Sequence, residues 1–195
     1  FRDKVLILGK SGSGKTTFLK ILSGLIPINE GAIHNGKNKN KDFIRFKESI
    51  SHLSQENFIV DKESIFYNIT LKQKKLANQA DMNNFDKVIK ISNLNEFIRK
   101  QPLKEDTILN EGASNISGGE RQRICIARSL FADNKLIIMD EPFSSIDKQN
   151  SDEIFRQILK DSANKTLIIS NHKKIEVKHF DKVIFFGKDK IVNIK

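Results

Sequence analysis

Short apolar runs alternate with longer stretches of helical periodicity, and this alternation predicts a parallel sheet covered by helices. Val5 to Leu8, Leu136 to Met139, Leu167 to Ser170, Val183 to Phe186 and Ile191 to Ile194 read as strands. Ile50 to Gln55, ISHLSQ, reads as a further strand that runs into a helical insert. After the first strand, Phe18, Ile21, Leu22 and Leu25 mark one helix face, and Pro27 and Gly31 close that unit. From about residue 57 to 131 the pattern changes to helical and polar. Phe85, Val88, Ile89 and Ser92 fit one amphipathic helix, and Ile124, Ala127 and Phe131 another. The expected organisation is an α/β core over 1–56 and 132–195, with a mostly helical subdomain inserted at 57–131.

Composition adds limits. The chain has 195 residues, 38% hydrophobic and 30% charged, enough for a core with one inserted subdomain. The apolar runs VLIL, LIIM and VIFF fall far short of the roughly eighteen residues of a membrane helix. With Cys125 alone there is no internal disulfide, and a reducing compartment is expected. The opening FRDKVLIL shows no charged-then-apolar leader and already reads as strand, so no export signal is expected here and the chain is expected to be a segment of something longer. The net charge is +10. Its lysines are scattered, apart from the turn-like run GKNKNKDF at 36–43, which favours a solvated surface over a nucleic-acid interface.

The chemistry begins at GKSGSGKTT, residues 9–17, between the first strand and its helix. Gly9, Gly14, Lys15 and Thr16 occupy every fixed position of the phosphate-loop pattern, and Ser11, Gly12, Ser13 and Thr17 complete the turn. Such a loop turns backbone N–H groups inward at a helix N-terminus, where partial positive charge favours an anion. Lys15 is expected to reach the outer phosphates and the Thr16 hydroxyl to ligate Mg2+. The strand LIIM delivers Asp140 to the sheet edge where ligands of open α/β sheets bind. Asp140 can hold Mg2+ through water, and Glu141 can polarise an attacking water. Gln55 can ligate Mg2+ or orient water without adding charge, and His172 follows the strand at 167–170 at that same edge. His34, His52 and His179 receive no role. A second phosphate-like device, NISGGERQRICIAR at 115–128, opens another helical segment with a Gly pair.

In this order, the motifs resemble the nucleotide-binding domain of an ABC (ATP-binding cassette) transporter. The resemblance covers nearly the whole chain. It makes Gln55 the Q-loop, ISGGE at 116–120 the signature usually written LSGGQ, Asp140 with Glu141 the Walker B end, SSID at 144–147 the D-loop with Asp147, and His172 the switch histidine. It implies a RecA-like P-loop NTPase core with a mostly parallel sheet and an inserted α-helical subdomain, hydrolysing ATP with Mg2+. It also accounts for two phosphate devices on one chain. In the family, two domains pair head to tail, so Ser117, Gly118 and Gly119 cap the γ-phosphate of ATP held by the partner's loop. The implied partners are a second nucleotide-binding domain, as a homodimer or paired half, and the transmembrane domain of the same transporter, with no nucleic acid. The implied location is the cytoplasmic face of the cell membrane.

Two stretches resemble exporters more than importers. SIFYNI at 64–69 looks like the segment after the exporter Q-loop. DTILNEGASNISGG from 106 resembles the Glu-bearing loop before the signature, with Glu111 at the matching position. The departures are Ile116 for Leu, Glu120 for Gln, Ser145 for a common Ala, and Ala113 with Gly112 beside it for the family's Gly. The adenine-stacking aromatic has no counterpart, because Phe1 is too close to Gly9 and Tyr67 lies on the wrong side. The alternative is a non-transport ABC ATPase acting on nucleic acid or ribosomes.

Overall fold

The computed structural model describes residues 2–31, 33–35, 38–39, 49–171, 176–187 and 191–194. The chain divides into two compact units. The first comprises Phe1–Gln55, Asn134–Pro142 and Asn164–Lys195, and the second Glu56–Asp133 and Phe143–Ala163. Residues 143–163, expected with the core, therefore pack with the helical unit instead. Their helix carries its buried side chains, Ile154, Phe155 and Ile158, on one face, and a periodicity of that kind does not tell which unit the face will meet.

The first unit is built on a six-stranded sheet of β1 (Lys4–Gly9), β4 (Ile50–Leu53), β5 (Leu136–Asp140), β6 (Thr166–Asn171), β7 (Lys182–Phe186) and β8 (Ile191–Ile194). The spatial order is β4-β5-β6-β1-β7-β8, parallel except for the antiparallel β7–β8 pair. β2 (His34–Asn35) and β3 (Asn38–Lys39) form a separate antiparallel pair. Every residue of β5 is buried, which accounts for its unbroken apolar run. The helix α1 (Lys15–Leu22) covers one sheet face. There Leu19 meets Ile7, Leu136 and Ile138, with Phe18, Leu22, Ile168 and Phe186 around them. Leu25, expected on that face, is instead exposed. The helix has already ended: the Ser23 hydroxyl bonds back to the Leu19 carbonyl at 2.8 Å, and Gly24 turns the chain out at φ 71°.

The second unit is helical. It comprises α2 (Ile65–Thr70), α3 (Gln79–Ile91), α4 (Asn95–Lys100), α5 (Gly118–Phe131) and α6 (Lys148–Asp161). Each long helix starts at a side chain able to accept from the first turn: Asn78 for α3, Ser117 for α5 and Asp147 for α6. In the middle of the unit lies α5, with Ile124, Ile126 and Ala127 fully buried and Leu130 nearly so. The buried Asn68 ties α2 to the chain before it. Its amide accepts from Val60 N–H at 2.8 Å and donates to the Val60 and Ser64 carbonyls at 3.0 and 3.1 Å. The Arg128 guanidinium closes this network from α5, donating to the Asn68 side-chain oxygen at 3.1 Å and to the Phe58 carbonyl at 2.8 Å. Among the described residues, no helix is long and apolar enough to cross a membrane.

Candidate nucleotide site

In the first unit, the parallel register brings three strand ends to one edge. Leu8 pairs with Asn171, and Asp140 with Ser170, so the loop after β1 and the acidic pair after β5 open on the same side of the sheet. The loop itself is shaped by glycine. Gly12 and Gly14 hold φ of 76° and 94°, a region that other residues enter at a cost. Gly9 is required by packing: a Cβ there would lie 2.6 Å from the Ser13 hydroxyl and 2.8 Å from the Phe186 carbonyl.

Lys15, at the first position of α1, is only 5% exposed. Its ammonium donates to the Gly9 and Lys10 carbonyls at 2.8 and 3.1 Å, and those neutral oxygens are its partners among the described residues. Ser13 adds a buried hydroxyl with no hydrogen-bond partner there. A buried cation normally needs an anionic partner to offset its desolvation. A loop with an ammonium lacking a carboxylate, an unused hydroxyl and a helix N-terminus fits a polyphosphate. Ser11, Gly12 and Gly14 are exposed on the turn and Thr17 in the first turn of α1, and Ser13 and Thr16 are half-buried.

Asp140 is buried, and the Ser170 hydroxyl donates to its Oδ1. The Glu141 N–H donates to the Ser170 carbonyl at 3.2 Å and to its hydroxyl at 3.1 Å. Ser170 thus fixes both acidic residues, and Glu141 is held at φ 50°, a left-handed backbone for a non-glycine residue. The Gln55 amide makes a long contact of 3.5 Å to Glu141 Oε2. On β4, burial pushes the His52 imidazole below its usual pKa, opposed by the nearby Asp140 charge. His172 lies outside the described residues. Gly9, Lys15, Asp140, Glu141 and Gln55 are brought together as elements of one unit. Ser170 carries no motif in the sequence; its signal is the register opposite Asp140, which needs the strand pairing to be seen.

The second unit carries the other turn. Ser117 caps α5, with Gly118 and Gly119 in its first turn. A Cβ on Gly119 would approach the Ser145 carbonyl to 3.2 Å, because the stretch 144–147 packs against this helix start. Gln122 fastens it: its Oε1 accepts from Ser145 N–H at 2.7 Å, and its Nε2 donates to the Ser144 hydroxyl at 3.1 Å. Asp147 caps α6, accepting from Asn150 N–H at 3.0 Å and from the Asn150 amide at 2.6 Å. These bonds hold its carboxyl below the usual range. Gln122 is the other residue that sequence reasoning misses, since nothing in its spacing announces a partner more than twenty residues away.

A family model described as ABC transporter matches residues 2–144. The chain belongs to the ABC transporter family. An ABC domain binds ATP. The chain is 36% identical over 192 residues to a lacticin-481/lactococcin-DR transport/processing ATP-binding protein of Lactococcus lactis, covering 97% of this chain and 26% of that protein. It is 37% identical over 187 residues to the ABC transporter ATM1 of Plasmodium falciparum, covering 94% of this chain and 17% of that one. The chain therefore spans about a quarter of the first relative and less of the second. Its fold matches a bacterial Atm1-family ABC exporter solved with ATP bound, with a TM-score of 0.86 over 99% of this chain and 33% of that chain, at 23% identity. That likeness establishes the P-loop NTPase fold.

Proposed function

We propose that this ABC chain is the ATP-hydrolysing motor domain of an exporter, which pairs with a second copy or a paired half around ATP and drives movement of a substrate across a membrane. The observation that carries the reading is the buried Lys15 ammonium, held in a glycine loop by neutral carbonyls alone among the described residues. Lys15 and the loop N–H groups bind and orient the outer phosphates. Thr16, Asp140 and Gln55 supply the oxygen donors suited to Mg2+, a hard cation that prefers them. When bound, Mg2+ neutralises phosphate charge. Glu141 accepts a proton from the attacking water, its backbone fixed by Ser170, and His172 is assigned the outer-phosphate contact by its motif position. Ser117 and the Gly118 and Gly119 N–H groups act in trans, on nucleotide held by the partner's loop, with Asp147 near that junction.

Exporter rather than importer character rests on SIFYNI, on the Glu111 loop, and on a relative whose name describes transport and processing. It implies a transmembrane domain as partner and the cytoplasmic face of the membrane as location. The alternative, action on nucleic acid or ribosomes, rests only on the net charge of +10. The decisive experiment is Glu141→Gln. ATP binding is expected to persist while hydrolysis falls about 10²- to 10⁴-fold; undiminished turnover would remove Glu141 from the role of base.

A further inference from the structure

Glu120 stands where the family pattern has Gln. The sequence allows its carboxylate to be paired by Arg121 or Arg123, but both guanidiniums are used elsewhere. Arg121 donates to the Gly112 carbonyl and Arg123 to the Asn93 carbonyl at 2.8 Å, and among the described residues Glu120 makes no ion pair. The carboxylate turns instead onto Ser117. Glu120 Oε2 accepts from the Ser117 N–H at 2.7 Å and from the Ser117 hydroxyl at 2.8 Å, while the Ser117 oxygen accepts from Glu120 N–H at 3.2 Å. A hydroxyl has a single proton to donate, and here it is committed to a carboxylate. That carboxylate also sits at the positive end of α5, the place an external anion would take.

We infer that Glu120 is a positioning residue of the signature turn, an internal anion that holds the Ser117 hydroxyl until the γ-phosphate on the partner copy displaces it. This rests on the proposed trans-capping role of Ser117. The displacement separates a strong charge-assisted hydrogen bond and brings two anions together. Both effects raise the ATP concentration needed for pairing and favour separation once the γ-phosphate is gone. A Gln can fill the same place in the capping box, giving up only a modest charge–dipole stabilisation at the helix start. The consequence of the carboxylate therefore falls on pairing more than on folding.

The test compares Glu120→Gln and Glu120→Ala in the Glu141→Gln background, using the full-length protein. Pairing is followed by energy transfer between donor- and acceptor-labelled copies as Mg-ATP is raised. Glu120→Gln is expected to lower the half-saturating ATP roughly fivefold, with a melting temperature lowered by no more than about 1–4 °C and unchanged ATP affinity of the unpaired copy. Glu120→Ala is expected to lower the ATP requirement too, while melting lower still through loss of the return bond of the capping box. A half-saturation in Glu120→Gln equal to the parent's, with pairing intact, overturns the role of Glu120 alone. Absence of ATP-driven pairing in parent and variants alike overturns the trans-capping reading, and this inference with it.

Discussion

Ser170 shows how much of the site depends on a residue without a motif. Its hydroxyl donates to the buried Asp140 carboxylate and accepts from the Glu141 N–H, so a single oxygen links the Asp140 side chain to the Glu141 backbone. Ser170→Ala leaves Asp140 short of a donor and removes one of the two acceptors of the Glu141 N–H, the Ser170 carbonyl remaining. The Mg2+ concentration for half-maximal hydrolysis is expected to rise roughly 10- to 100-fold, the usual cost of losing a ligand's supporting hydrogen bond. A magnesium titration of ATPase activity checks this, and an unchanged midpoint would show that Asp140 is oriented by something else. Lys15, Asp140 and Glu141 were legible in the sequence because phosphate chemistry ties their types to fixed local spacings. Ser170 and Gln122 were not, since each is selected by a partner brought near only by the fold.

At the scale of elements, hydrophobic period alone placed β1, β4, β5, β6, β7 and β8 and separated the strand-bearing core from a helical stretch. It failed where a local hydrogen bond outweighed periodicity, and where periodicity could not tell which unit an apolar face would meet. Ser23 and Gly24 end α1 before Leu25 can join its face, and α6 sends its apolar face into the helical unit although its sequence neighbours lie in the core. The helical unit has its own internal brace. Asn68 is fully buried, with its amide shared between the Val60 and Ser64 backbone and Arg128. Asn68→Ala strands the Val60 N–H and carbonyl and removes one partner of the Arg128 guanidinium, whose pKa burial already lowers. The expected loss is about 2–4 kcal/mol, or roughly 5–15 °C in melting temperature. Thermal unfolding followed by circular dichroism measures it. A shift within a degree or two would mean that water satisfies the network as well as the amide does.

For the whole molecule, the question is whether the two phosphate devices serve one copy or two. Lys15 belongs to one compact unit and Ser117 to the other, and the trans reading requires that each nucleotide take its loop from one copy and its signature from the next. Two-fold pairing then yields two equivalent composite sites. Lys15→Ala spoils the loop of every site in its own homodimer, and Ser117→Arg spoils every signature, so each variant alone is expected to be inactive. A mixed pair differs. One of its sites combines the intact loop of the Ser117→Arg copy with the intact signature of the Lys15→Ala copy, while the other site collects both lesions. With random exchange, half of the pairs are mixed and each has one good site, which gives roughly a quarter of the unmodified activity if the sites act independently. If both devices served the same copy, each lesion would disable its own chain and mixing would restore nothing. ATPase assays on equimolar mixtures therefore decide between the two, and they need no knowledge of the transported substrate.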